Sequence, residues 1–160
     1  MSAHALLSAS ASSRWMNCTV SARLEETLPE RTSEYAEEGR LAHAIAELKL
    51  RKHFLEPMGA RTYNNRIKKF REDPLFLEEM RTHTEAYLDY IKEVVMRYDQ
   101  RPLVAVEKRL DYSVFAPEGF GTGDCIIIGG DTLHVVDFKY GKGVQVEATE
   151  NTQMMLYALG

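Results

Sequence analysis

Gly121-Thr122-Gly123-Asp124-Cys125-Ile126-Ile127-Ile128-Gly129-Gly130-Asp131-Thr132-Leu133-His134-Val135-Val136-Asp137-Phe138-Lys139 is the stretch on which the reading of this chain turns. Two runs rich in β-branched residues flank the turn signal Gly129-Gly130-Asp131, and the segment predicts a β-hairpin. Side chains alternate across a strand, so Asp137 and Lys139 share a face with Val135 and Leu133. If the hairpin pairs so that Asp124 looks to the same side, two carboxylates and a lysine converge on one point. Carboxylate oxygens suit a hard divalent cation, and a neighbouring ammonium suits a phosphate or an attacking water. A lone Asp-x-Lys is commonly no more than a strand-end acid beside a solvated lysine, so the weight falls on what else the chain carries.

Upstream, Tyr35, Gly39, His43 and Glu47 recur every four residues in a segment with helical periodicity and form one stripe on a helix face. A mid-helix glycine costs about 1 kcal/mol relative to alanine, so Gly39 predicts the close approach of another backbone. Downstream, Gln153 and Tyr157 stand at i, i+4 on a segment that reads as helical. Taken singly, these are a satisfied histidine, a surface glutamate and a polar-aromatic pair at a helix edge.

Taken in order, Gly-x-x-x-His-x-x-x-Glu, Gly-x-x-Asp, Asp-x-Lys and Gln-x-x-x-Tyr resemble the RecB-like branch of the PD-(D/E)XK nuclease superfamily. That branch includes CRISPR adaptation nucleases and many phage and prophage nucleases. The resemblance spans Gly39 to Tyr157, and the opening Ser8-Ala9-Ser10 with Cys18 is similar to the start of that branch. It implies an α/β (α+β mixed) fold with a restriction-endonuclease-like core, helices flanking a small mixed sheet around a central hairpin. It implies that His43, Asp124 and Asp137 are metal ligands together with the carbonyl of Phe138, and that Lys139 is the catalytic lysine. Glu47 joins the acidic site on this reading, and Gln153 and Tyr157 support the site and the nucleic acid. The activity implied is a metal-dependent deoxyribonuclease, exonuclease-like, in phage or recombination and repair processing. The alternatives are a catalytically silent nucleic-acid-binding module on the same fold, or a subunit that cuts only with a helicase or recombinase partner.

The chain departs from the branch in two ways. Some members hold an iron-sulfur cluster on four cysteines, whereas only Cys18 and Cys125 occur here, so no such cluster is expected within this chain. Cys125 alternates away from Asp124 and reads as core. The branch's final strand also has no counterpart before Gly160, so the chain reads as C-terminally truncated, with an uncovered sheet edge that invites self-association. Apart from any family, two carboxylates about 4 Å apart repel by roughly 4 kcal/mol at an effective dielectric near 20. A divalent ion would remove that cost. Oxygen-rich ligation points to magnesium or manganese, and a neutral imidazole favours manganese somewhat.

The 160 residues, 44% of them hydrophobic, suffice for one core and predict a single domain, helical over 1–100 with the sheet and motif helix in 101–160. No apolar run approaches the roughly 20 residues of a membrane span, and the Ser8–Ser13 stretch lacks the pattern of a signal peptide. Two cysteines in unlike settings make no disulfide framework and fit a reducing cytoplasm, bacterial or phage-infected on the resemblance. A net charge of −4 tells against a general nucleic-acid coat, but charge totals hide local fields. The segment Arg61–Arg71 concentrates five basic residues, Arg66, Lys68 and Lys69 among them, with Tyr63 and Phe70 interleaved. It suits phosphates and stacked bases, or it is a solvated linker between helices. Lys142, in the turn after Lys139, is placed to touch a strand of DNA near the scissile bond.

Helices are predicted near 10–25, 33–54 and 74–98, strands near 103–112, 122–129 and 132–139, and a last helix from about 148. Asp73 reads as an N-cap with Pro74 at the first helical position, and Phe76, Met80, Tyr87, Ile91, Val94 and Tyr98 as that helix's buried face. Glu107 alternates away from Val104, Val106 and Leu110. It is either a further site residue or an edge salt-bridge partner.

Overall fold

The computed structural model of the chain describes residues 5–29, 33–141 and 146–160. Among them, helices and a three-stranded sheet make an α+β architecture, as the hairpin and the helical periodicities predicted. The chain divides into two compact units. One comprises Met1–Arg31, Glu107–Gly123 and Gln145–Gly160, and the other Thr32–Val106 and Asp124–Val144.

The larger unit is built on two long helices. Helix α3 (Glu34–Leu50) starts where Ser33 accepts a hydrogen bond from the Ala36 amide at 3.2 Å, with Glu34 and Glu37 in the first turn to complement the helix dipole. It continues into a π-helical turn, Arg51–Leu55, so the prediction of a helix over 33–54 is met. Helix α5 (Glu78–Met96) turns Met80, Thr84, Tyr87, Leu88, Ile91 and Val94 inward at spacings of three and four, and packs against α3. Both hydroxyls on that stripe are satisfied, Thr84 donating to the Met80 carbonyl at 2.7 Å and Tyr87 to the Val136 carbonyl at 3.1 Å. Lys49 is buried on α3, and its ammonium reaches the Arg81 carbonyl at 3.0 Å and the Glu85 carboxylate at 2.7 Å on α5. Its charge therefore ties the two helices together and is not left uncompensated.

Against these helices stand strand β1 (Leu103–Asp111), β2 (Phe120–Gly129) and β3 (Thr132–Val136), in the order β1-β2-β3. β2 and β3 are antiparallel, with Cys125 opposite Val136 and Gly129 opposite Thr132. That register leaves Gly130-Asp131 as a two-residue turn. Gly130 takes a φ of +58°, which glycine adopts without a Cβ clash. Ile127 and Cys125 are fully buried with Ile91, Met80 and Ala42 in one apolar cluster. Cys125 is thus core, as its alternation predicted, and burial pushes its thiol up to about 12. At the hairpin's far end a Cβ on Gly129 would stand 2.5 Å from the Tyr98 ring, whose hydroxyl is 2.6 Å from His134 Nε2. Gly129→Ala should therefore cost about 1–3 kcal/mol in a denaturant titration, the range for overpacking a filled site. An unchanged midpoint would show that the ring moves aside freely.

The smaller unit holds a 3-10 turn (Ala9–Ala11), α1 (Ser12–Asn17), α2 (Ser21–Glu26), the adjoining ends of β1 and β2, and the C-terminal helix. Numbered after α4 (Ala60–Arg71) and α5 of the larger unit, that last helix is α6 (Thr152–Leu159), and Asn151 caps it by accepting from the Met154 amide at 3.2 Å. Tyr112 is fully buried, with its hydroxyl 3.1 Å from the Leu7 carbonyl and 3.0 Å from that of Phe120. Ser12 meets Thr152 at 2.6 Å and joins α1 to α6.

Several boundaries differ from the sequence prediction, each for a local reason. The helix expected over 10–25 breaks at Cys18, whose φ of −140° and ψ of 94° are extended, just ahead of the β-branched Thr19 and Val20. The third predicted helix begins at Glu78, not at 74. Asp73 instead closes a turn by accepting from the Leu75 amide at 2.9 Å. The face predicted for it is correct at Met80, Tyr87, Ile91 and Val94, while Phe76 and Tyr98 are only partly buried. The last helix starts at Thr152 and not near 148, because Asn151 offers the better cap. β3 stops at Val136, three residues short of the prediction. Gly39 has no atom within 4 Å of the Cβ it lacks, so no close backbone explains it, and Tyr35 in the same stripe is exposed.

Candidate metal centre

Two elements of the larger unit and the segment after the hairpin bring four predicted side chains together. His43 comes from the middle of α3, Asp124 from β2, and Asp137 and Lys139 from the chain leaving β3. The β2–β3 register sets Cys125 against Val136, and one residue outward Asp124 comes level with Asp137. Alternation suggested that these groups look to one side, and the register sets Asp124 beside Asp137, which itself lies beyond the strand proper.

His43 Nδ1 is 3.3 Å from Asp124 Oδ1. Donor atoms each about 2.1 Å from one ion and at right angles to each other lie about 3 Å apart, so this spacing fits two ligands of one octahedral ion. The other Asp124 oxygen accepts from the Phe138 amide at 2.7 Å, which fixes the carboxylate's plane. Phe138 was assigned by the resemblance a ligating carbonyl. Its visible contributions are that amide and its buried ring, which meets the His43 ring edge-on at 5.4 Å. Behind it lies the Tyr87 ring, centroids 4.9 Å apart, while the Tyr87 hydroxyl donates to the Val136 carbonyl at 3.1 Å. Tyr87 was foreseen as core, but its role in holding the end of β3 had no sequence signal, because only the tertiary fold brings α5 beneath that carbonyl.

Asp137 and Lys139 pair at 2.7 Å. The Asp137 side chain is 9% exposed and that of Lys139 55%, so the carboxylate is recessed and the ammonium open to solvent. Burial pushes the Asp137 carboxyl above its ordinary value. Lys139 pulls it back, the Asp124 charge pushes it up again, and His43 draws it down. The four groups thus feel one another, and the cost of holding two recessed carboxylates side by side is the kind a divalent ion relieves.

Glu47 is placed differently from what the motif order implied. Its carboxylate accepts from Arg51 Nε at 2.6 Å, and it lines a neighbouring cavity of about 410 Å³ with Arg51, Arg66 and Lys69. The basic segment is no linker. It forms helix α4 (Ala60–Arg71), a periodicity masked in the sequence by its high charge. The interleaved aromatics do not offer themselves to bases: Phe70 packs on the core cluster, and Tyr63 lies beneath the Lys52 ammonium at 3.6 Å. Arg66, Lys68 and Lys69 are exposed, and Lys68 pairs with Glu72 at 3.7 Å. Lys142 lies outside the described residues.

In the smaller unit, Gln153 Nε2 donates to the Tyr157 hydroxyl at 3.3 Å across one turn of α6, the i, i+4 contact their spacing predicted. Glu107 has a φ of 49°, a left-handed conformation rare outside glycine and unannounced by the alternation around it. Strain of this sort within a strand is a mark of bulges and of functional positions.

Among the described residues no helix is long and apolar enough to cross a membrane. No solved structure matches the chain. A family model described as a protein of unknown function (DUF2800) matches residues 4–160, nearly the whole sequence, and the chain belongs to that family.

Proposed function

We propose that this protein is a metal-dependent nuclease of the RecB-like type that hydrolyses phosphodiester bonds in DNA in the cytoplasm. The observation that carries the reading is the pairing of His43 with Asp124 at 3.3 Å, one register step from the ion pair of recessed Asp137 with solvent-facing Lys139, whose carboxyl feels the charge of both. The donors fit magnesium or manganese: they are oxygen-rich, and the His43–Asp124 separation is that of neighbouring ligands on a six-coordinate ion. When bound, such an ion lowers the pKa of a water and neutralises charge on a phosphate oxygen.

The chain's own residues do the rest. Asp124, its plane held by the Phe138 amide, and Asp137 define the anionic floor of the site. Lys139 stands at the open side, where its ammonium can meet the incoming phosphate, and can pass from Asp137 to the phosphate oxygen without crossing a desolvated region. The ring stack of Phe138 on Tyr87 keeps His43 and the end of β3 from shifting. Gln153 and Tyr157 are proposed as supporting groups on the strength of the motif order.

The test is incubation of end-labelled and circular, single- and double-stranded DNA with magnesium or manganese. Cutting that stops with EDTA supports the reading, and intact substrate under all conditions overturns it. A finer check concerns His43. His43→Ala should lower activity by roughly 10–100-fold at limiting metal, the scale seen for weakened metal sites, and excess manganese should restore part of it. Loss that no manganese concentration alters would make His43 structural instead.

A further inference from the structure

We propose that the cavity between α3 and α4 is a second phosphate-binding subsite, which holds a backbone phosphate of the same nucleic-acid strand a few nucleotides from the cleaved bond. The inference rests on the nuclease reading and adds to it how the strand is held. The cavity, about 410 Å³, carries three cations, Arg51, Arg66 and Lys69, against two carboxylates, Glu47 and Glu56. Both carboxylates are committed to Arg51, Glu47 at 2.6 Å from its Nε and Glu56 at 3.3 Å from Nη1. Among the described residues, Arg66 and Lys69 have no such partner, so the local surplus is positive and faces solvent.

The clamp on Arg51 has a second effect. Its guanidinium is held in one orientation before any ligand arrives, so less side-chain entropy is lost when the remaining N–H groups meet a phosphate. The hydrogen bond with Glu47 also raises the pKa of the group above its ordinary value, so the charge is permanent. Arg51 opens the π-helical turn that follows α3, and such turns recur at functional positions. Position completes the case: Glu47 and Arg51 follow His43 at one and two helical turns along the same stripe. Eight residues of helix advance on the order of 12 Å, a few nucleotide steps at the 3.4 Å rise of one duplex strand. The stripe that begins at the metal centre thus ends at the cationic cavity.

The experiment measures binding of fluorescein-labelled single- and double-stranded oligonucleotides by anisotropy, in EDTA so that no metal-dependent cutting intervenes, across a salt series. Replacing both free cations (Arg66→Gln with Lys69→Gln) should raise Kd at least tenfold and lower the slope of log K on log salt by about one, the value for one phosphate contact. The charge-keeping pair (Arg66→Lys with Lys69→Arg) should bind within about threefold of wild type, which a merely structural role would not require. An unchanged Kd and slope in the neutral pair, or equal loss in both pairs, would overturn the subsite. Cutting by a wild type whose binding ignores these changes removes this proposal alone. Charge-sensitive binding without any cutting removes the chemistry and leaves the cavity as a phosphate site.

Discussion

Asp137→Asn should abolish DNA cleavage, by on the order of 10³-fold or more, equivalent to about 4 kcal/mol of activation barrier. Asp137 is recessed, paired with Lys139 and close enough to Asp124 and His43 for both to shift its proton affinity. An amide of the same shape cannot supply the negative charge a divalent ion needs. The substitution also removes a charge that burial and Asp124 both disfavour, so the variant should melt at or above the wild-type temperature in metal-free buffer. Loss of activity is then not loss of fold. Thermal melts supply the matching control: an ion present at a hundred times its Kd stabilises by about 2.7 kcal/mol, a shift of several degrees. Manganese should produce that shift in wild type and a much smaller one in Asp124→Asn. Full activity in Asp137→Asn, or an undiminished manganese shift in Asp124→Asn, would place the chemistry or the ion elsewhere.

Lys139→Ala should lower cleavage by roughly 10²–10³-fold, the range for loss of one donor to a charged transition state. Unlike the aspartates, Lys139 is a cation at the open rim and no metal ligand, with its side chain 55% exposed. The manganese-induced rise in melting temperature should therefore survive the change, or grow slightly, because Asp137 loses a competing partner. The combination of lost cutting and retained ion response separates a catalytic lysine from a structural ion pair. An alanine variant that cuts at the wild-type rate would reduce Lys139 to the solvated edge residue that a lone Asp-x-Lys usually is.

The hairpin and both long helices were legible in the order of residues because each rests on local signals. Gly130-Asp131 closes a two-residue turn, Ser33 caps α3, and the stripe Met80, Tyr87, Ile91, Val94 marks the buried side of α5. Helix α4 was not legible: with five basic residues in twelve positions, its half-buried Tyr63, Ile67 and Phe70 are too few to announce a period. Boundaries at Cys18, Leu77 and Asn151 escaped for a related reason, since short turns and caps compete within about 1 kcal/mol and packing decides among them.

What the sequence by itself determined is the inventory and the pairing: an Asp and a Lys two residues apart after a hairpin, an Asp one register step away, and a His on the face of an earlier helix. Side-chain alternation and helical period are local geometry, so they need no knowledge of the rest of the chain. Only the tertiary structure decided which of these groups meet. It set His43 3.3 Å from Asp124 and lodged the Phe138 ring between His43 and Tyr87. Those choices depend on how α3 and α5 pack against the hairpin. Contacts between residues about 50 or more positions apart follow from the fit of whole surfaces, which no local pattern encodes.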